Sequence, residues 1–520
     1  MKPASRPATL GALRSSGWRS RSVKHELRDN LIGRLRRGEP AFPGLVGYDQ
    51  TVLPQVEKAL LSGHDFILLG LRGQAKTRLL RGLPALLDEA LPVVEGCEIN
   101  DDPLAPVCTE CQRRAAELGD ELPVAWLPRE ARYHEKLATP DTSIADLIGD
   151  IDPIKAATRR LTFADPEVVH FGLVPRSNRG LFAINELPDL PARIQVGLLN
   201  LLEEGDVQIR GFPVRLRLDM LLVFSANPED YTNRGSIITP LRDRIASQIL
   251  THYPRSLAEA RTITAQEAWV ARSGAVPVVV PDWLADAVEE VAIGARASEF
   301  VDQNSGVSAR VPIAIMESLV SGAERRALRC GEPRAVARVA DLVAATPAIT
   351  GKVELVYEGE REGISKVASH LVGRAVKTVF DRHFPDALAE TAVKPPRPPA
   401  ERRGATGKTP GQPAPPPGSR DTPLSDSVYR PILDHFRRGA TVDLGDDLGT
   451  DEMLARLRAV TGLESVAEAH LPVGDDPTRA AVMELVLEGL HQSALLAKDE
   501  LAGSRVYRDV FEDMARSLRD

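Results

Sequence analysis

Apolar positions follow two rhythms along this chain. Between residues 46 and about 253, short apolar runs alternate with amphipathic stretches. Residues 66–69, 181–184 and 221–225 are such runs, and each turns polar or glycine-rich at once on both flanks, which predicts buried strands. Strands interleaved with helices imply a parallel sheet covered on both faces. From 256 to about 384 the strand signal fades and helical spacing takes over; over 311–328, Ile315, Leu319 and Ala323 fall in register. Near the start, Val23, Leu27, Leu31 and Leu35 are four apart and predict a helix over 22–35, broken by Phe42, Pro43 and Gly44.

These rhythms divide the chain into a basic N-terminal extension (1–44), an α/β core (45–255), a mostly helical region (256–392), a linker (393–424) and a small helical C-terminal domain (425–520). The linker holds ten of the forty prolines and little to bury, so it reads as semi-extended. In the last domain Asp476 and Pro477 read as the N-cap and first turn of a helix running to Lys498. The extension carries ten Lys and Arg between Lys2 and Arg37 against Glu26 and Asp29. Such a bias suits an organelle transit peptide, but the helical spacing favours a basic helix docked on its own protein.

Composition narrows the function classes. A chain of 520 residues exceeds one core and suggests three or four domains. Its net charge of −8 gives no basic field for DNA or anionic membrane, and 4% aromatics argue against a base-stacking surface. Nucleic acid is therefore not an expected partner. The longest apolar runs fall far short of a membrane span, and no apolar leader opens the chain, so a cytoplasmic protein is expected. Four cysteines do not make a disulfide framework and fit a reducing compartment.

The strongest chemical signal follows the first strand: Gly70, Leu71, Arg72, Gly73, Gln74, Ala75, Lys76, Thr77. A glycine-rich turn between a strand and a helix points successive N–H groups inward as a nest for phosphate, and the helix dipole adds to it. The spacing is that of G-x-x-x-x-G-K-S/T, with Ala75 where glycine is usual. Lys76 would reach the β- and γ-phosphates of ATP, and Thr77 would ligate Mg²⁺. A second G-K-T, at Gly407, Lys408 and Thr409, has no preceding strand and sits among prolines, so it forms no cradle. The strand at 181–184 ends in Asn185 and Glu186, at the edge where ligands bind in open α/β sheets. Glu186 is placed to orient and deprotonate an attacking water. The strand at 221–225 ends in Ala226 and Asn227, whose amide could contact the γ-phosphate and that water together.

These three segments in this order resemble the AAA+ ATPases, and within them the magnesium chelatase I subunit and MoxR-type proteins. Further matches are the segments 171–180 and 199–205, a hairpin expected around 207–216, and Leu241, Arg242, Asp243, Arg244. The resemblance covers about 45–330. It implies an α/β P-loop core with a parallel sheet, a mostly helical lid and an ATP-hydrolysing motor. Lys76 and Thr77 match the Walker A pair, Glu186 the Walker B glutamate and Asn227 the first sensor. Arg244 matches an arginine finger acting on the next subunit's site, with Arg242 as the alternative, and Arg310 the second sensor. A ring of identical subunits, expected to be a hexamer, follows from a finger in trans. The resemblance also implies a partner with a von Willebrand factor A domain. The usual Walker B pair is Asp-Glu; Asn185 here offers no negative charge to Mg²⁺-bound water.

Two other functions fit parts of the pattern. A nucleotide-sensing scaffold with weak hydrolysis is suggested by Asn185. An enhancer-binding transcription activator shares the core motifs, but its Gly-Ala-Phe-Thr-Gly-Ala loop is absent and 425–520 is acidic. Finally, Cys97, Cys108 and Cys111 contain one C-x-x-C step and make zinc a candidate, with His134, Asp101, Asp102 or another chain's residue as fourth ligand. Cys330 is expected in a core.

Overall fold

The computed structural model describes residues 6–160, 168–209, 215–227, 236–273, 276–387, 427–501 and 503–510. The Pro-rich linker and the G-K-T at 407–409 lie outside them. The chain divides into two units, Met1–Glu259 with Asn304–Ser308, and Ala260–Gln303 with Ala309–Asp520.

Strands of the first unit, in chain order, are β1 (Phe66–Leu69), β2 (Ala90–Val94), β3 (Val124–Pro128), β4 (Tyr133–Leu137), β5 (Gly149–Ile151), β6 (Val169–Phe171), β7 (Gly180–Asn185), β8 (Asp206–Gln208), β9 (Arg215–Arg217), β10 (Met220–Ala226) and β11 (Ser247–Leu250). Five of them form the central sheet in the order β11-β1-β10-β7-β4, with every neighbouring pair parallel. Side chains alternate between its faces, and both faces are covered. Ile67, Phe182, Ile184, Leu222 and Phe224 enter one core, while Phe66, Leu68, Leu181, Ala183, Leu221 and Val223 enter the other. Burial on both faces is why β1, β7 and β10 read as unbroken apolar runs. The hairpin expected around 207–216 is the antiparallel pair β8–β9.

The N-terminal segment docks on this core. The helix Val23–Arg37 buries Val23, Leu27 and Leu31, while Leu35 is exposed. Ser22 caps its start, and the Asp219 carboxylate accepts from Val23 N at 3.0 and 3.1 Å. On its inner face Glu26 takes both guanidinium nitrogens of Arg132, at 2.7 and 2.6 Å, with the two side chains 2% and 0% exposed. Removing one partner of such a buried pair costs about 3–5 kcal/mol, because the other charge is left behind.

In the second unit the helices Asp282–Arg296, Arg310–Cys330, Ile364–His383 and Asp476–Gln492 pack together. The helices expected beyond 425 are present, and a sheet accompanies them. Strands β12 (Val278–Val279) and β13 (Ala335–Val336) pair, and β14 (Val442–Gly445), β15 (Leu496–Leu501) and β16 (Ser504–Asp509) form an antiparallel sheet in the order β14-β16-β15. Two local expectations are corrected. The cap of the long helix is Asp475, which accepts from Thr478 N at 2.8 Å, and the helix stops at Gln492. Lys498 instead sits on β15, where it pairs with buried Glu488 at 3.0 Å. Cys330 is not a core residue but half-buried, with its thiol donating to Asp447 O. Residues before and after the linker pack as one body: Arg338 donates to the carbonyls of Gly445, Asp446 and Leu448, and Tyr429 to Pro385 O at 2.7 Å. Gly489 faces Phe380 so closely that a Cβ would lie 2.3 Å from the ring. No helix among the described residues is long and apolar enough to cross a membrane.

Candidate functional site

β1 hands the chain to the loop 70–75, and the helix Lys76–Gly82 opens directly after it. The loop's shape depends on left-handed backbone at Gly73 (φ 73°) and Ala75 (φ 52°). Gly70 admits no side chain, since a Cβ there would lie 2.0 Å from Thr251 Oγ1 and 2.1 Å from Gln74 Oε1. Ala75 is a different matter, because its Cβ carries a steric cost of about 1–2 kcal/mol in this conformation. Ala75→Gly should therefore raise the thermal unfolding midpoint; an unchanged or lower midpoint in a scanning melt would show that the loop is not strained there.

Three hydroxyls outside the motif brace the loop. Thr251, just after β11, donates to Gln74 Oε1 at 2.8 Å; Tyr48 donates to Gln74 O at 2.7 Å; Tyr253 donates to Arg72 O at 2.9 Å. Burial pushes the Tyr48 hydroxyl up to about 12, so it remains a donor at any physiological pH. Nothing in the local sequence marks these residues.

The side chains of three motif residues meet at the C-terminal edge of the sheet. Lys76, 7% exposed, donates to Gly70 O, to Leu71 O at 3.0 Å and to Asn227 Oδ1 at 2.6 Å. The other end of the Asn227 amide donates to Glu186 Oε2 at 3.1 Å. Ammonium, amide and carboxylate thus form one line running from β1 across β10 to β7. Glu186 sits in left-handed backbone (φ 54°) immediately after β7, a strained turn of the kind found at functional sites. Beside it, Asn185 Oδ1 accepts from Ser225 Oγ at 2.9 Å, so strands β7 and β10 are also tied at their polar ends. Thr77 is half-buried in the helix's first turn. Thr77 hydroxyl, Asn185 amide and Glu186 carboxylate are all oxygen donors, a set that suits Mg²⁺.

Arg244 ends the helix Thr239–Arg244, pairs with Glu203 at 2.7 Å and donates to Pro240 O at 3.1 Å. Arg242, on the same helix, is exposed. Arg310 is the exposed first residue of the helix Arg310–Cys330 in the second unit.

The cysteines form a second constellation in the first unit. Ligand atoms of Cys97, Asp101, Cys108 and Cys111 lie within 4.8 Å of one another. The two other ligands considered go elsewhere. His134 is on β4, where burial lowers its pKa, and Asp102 faces Arg179 at 3.7 Å.

No family model and no curated protein sequence matches the chain. Solved structures are similar at low identity. NtrX from Brucella abortus is 15% identical over 60% of this chain and 56% of its own, with a TM-score of 0.34. The BchI–BchD complex of magnesium chelatase is 20% identical over 62% of this chain and 99% of its own, at 0.31. A RuvB mutant from Thermotoga maritima is 13% identical over 71% and 79%, at 0.30. In that comparison the chain spans little more than half the length of NtrX, and in NtrX with ATP bound it spans 70%. Its own geometry gives a P-loop α/β core in which a lysine, an asparagine and a glutamate converge where the parallel strands end.

Proposed function

We propose that this chain is an AAA+ ATPase, a motor subunit resembling the magnesium chelatase I and MoxR-type proteins. The observation that carries the reading is the hydrogen-bonded line Lys76–Asn227–Glu186 beside a strand–loop–helix phosphate nest. ATP is taken with its phosphates against the loop N–H groups of residues 70–77 and its terminal phosphates near the Lys76 ammonium. Glu186 accepts a proton from a water, whose oxygen bonds to the γ-phosphorus as the bond to the bridging oxygen breaks. ADP and phosphate leave, and the proton passes from Glu186 to solvent. Asn227, bonded to both Lys76 and Glu186, holds water and γ-phosphate in register. Thr77 and, through water, Asn185 would hold Mg²⁺, which when bound draws charge from the phosphate oxygens.

In the finer reading, subunits form a ring, hexameric by the resemblance, in which Arg244 serves the neighbour's site. Arg310 acts as the second sensor of nucleotide, and force passes to a partner with a von Willebrand factor A domain. A second reading, a scaffold that binds ATP and scarcely hydrolyses it, is favoured by Asn185, whose amide oxygen accepts from Ser225 and brings no charge to the metal. Phosphate release decides between them. The motor reading expects Glu186→Gln to lower turnover by about 10²–10⁴-fold, the usual worth of a general base. A wild-type rate no faster than that of Glu186→Gln would leave only the scaffold.

A further inference from the structure

Outside the nucleotide site, the described residues bring three thiols and one carboxylate to a single point, and the fold explains how. Cys97 follows β2 through a turn at Gly96 (φ 75°), and Asp101 follows a left-handed Asn100 (φ 55°), its own carbonyl accepting from Val94 N at 2.9 Å. Cys108 caps the helix Thr109–Leu118, and Cys111 lies in its first turn. Asp101 is 0% exposed, Cys111 1% and Cys108 8%.

We propose that Cys97, Asp101, Cys108 and Cys111 bind one zinc ion as a closed structural site. Asp101 supplies the most pointed observation. Its Oδ2 accepts from Val107 N at 3.1 Å and Cys108 N at 2.9 Å, while its Oδ1 is buried with no hydrogen-bond partner. A fully buried carboxylate oxygen left bare is costly, and a cation among the facing sulfurs satisfies it. The ligands are already oriented by N–H groups, as ligands of structural metals are: Asp101 N points to Cys97 Sγ at 3.5 Å and Cys111 N to Cys108 Sγ at 3.3 Å. The helix N-terminus adds its dipole to thiolates at Cys108 and Cys111.

Spacing and donor type select the ion. Tetrahedral zinc with Zn–S bonds of about 2.3 Å places neighbouring ligand atoms about 3.8 Å apart, inside the 4.8 Å spread seen here. Iron–sulfur clusters spread their thiolates over two or more irons and need a wider cage. Three soft sulfurs disfavour Mg²⁺ and Ca²⁺. All three cysteines are free, so no disulfide competes for the sulfurs. Four protein ligands leave no open position, which makes the ion a staple and not a catalyst.

What it staples is the base of β7. Asn100 Nδ2 donates to Arg176 O at 2.9 Å, Asn178 Nδ2 to Ile99 O at 3.0 Å, and Arg179 to Pro92 O at 2.6 Å. Residues 176–179 lead directly into the strand that ends in Asn185 and Glu186. The zinc loop therefore fixes the root of the strand that carries the glutamate.

The test is elemental analysis of the full chain, purified under reducing conditions without chelator and then reconstituted with Zn²⁺ alone. About one zinc per chain is expected, released on modification of the thiols and reported by a colorimetric zinc indicator. Cys108→Ser should lose the ion, and Cys330→Ser should keep it. Because Cys108→Ser could unfold the cysteine loop, Asp101→Asn is the second variant, isosteric but uncharged; its zinc affinity by chelator competition should fall tenfold or more. Zinc in the wild type should also raise the unfolding midpoint over chelator-treated protein. Less than about a tenth of an equivalent after reconstitution would overturn the proposal. So would iron with sulfide in place of zinc, or equal retention in Cys108→Ser and wild type.

Discussion

Lys76→Ala should lose ATP affinity by about a hundredfold or more while the sheet stays folded. Lys76 is 7% exposed and its ammonium sits where the loop, β10 and the helix Lys76–Gly82 meet, so a phosphate reaching this point meets a charge largely shielded from water. A charge-assisted hydrogen bond is worth roughly twice a neutral one, and an ammonium can serve two phosphates. A hundredfold loss corresponds to about 2.8 kcal/mol. The substitution also removes the donor to Leu71 O and Asn227 Oδ1. Both are neutral acceptors, so the substitution strands no charge, and its cost to the fold is smaller than that of breaking the buried Glu26–Arg132 pair. Calorimetric titration with ATP, beside a circular-dichroism melt, reads the two effects separately. Affinity within twofold of wild type in a folded variant would sink the phosphate assignment.

Residue patterns revealed this site better than they revealed the fold around it. The strands β1, β7 and β10 were legible because burial on both faces demands continuous apolar runs. Their edge partners were not. In β4 Tyr133, His134, Glu135 and Lys136 are half-buried and Leu137 is exposed, and β11 buries only Ile249 well. In the C-terminal sheet, Lys498, Arg505 and Tyr507 are buried against Glu484 and Glu488, so ion pairs replace the apolar alternation that would announce a strand. Lys76, Glu186 and Asn227 were readable because each follows an apolar run, Lys76 at the spacing of a glycine-rich phosphate loop. Tyr48 and Thr251 were not, since each acts through one hydroxyl on a loop 26 or 177 residues away in sequence. The same holds for Asp101, which nothing but the turn at Asn100 separates from its neighbour Asp102 as a ligand.

Mixing Arg244→Ala chains with Glu186→Gln chains should restore turnover that neither variant shows alone. A finger acting in trans stabilises charge on the neighbour's phosphoryl group and is worth about 10³-fold or more. In the chain itself Arg244 is held by Glu203, with side chains 31% and 53% exposed. An exposed pair of this kind contributes about 0.2–1 kcal/mol, far below the roughly 4 kcal/mol that a 10³-fold rate effect represents. Glu203 would therefore not prevent Arg244 from turning to a neighbouring phosphate. In a mixed ring, some interfaces join the good glutamate of an Arg244→Ala chain to the good arginine of a Glu186→Gln chain. Those interfaces alone are complete, so rescue is partial, greatest near equal proportions, and lost on dilution below the assembly concentration. Glu203→Ala should leave the rescue in place, since its pairing is not needed for turnover. An arginine serving its own subunit, or one that only braces the helix, predicts no rescue at any ratio. Activity that stays at the single-variant floor in mixtures shown by light scattering to co-assemble would remove Arg244 from the chemistry and leave it as the surface partner of Glu203.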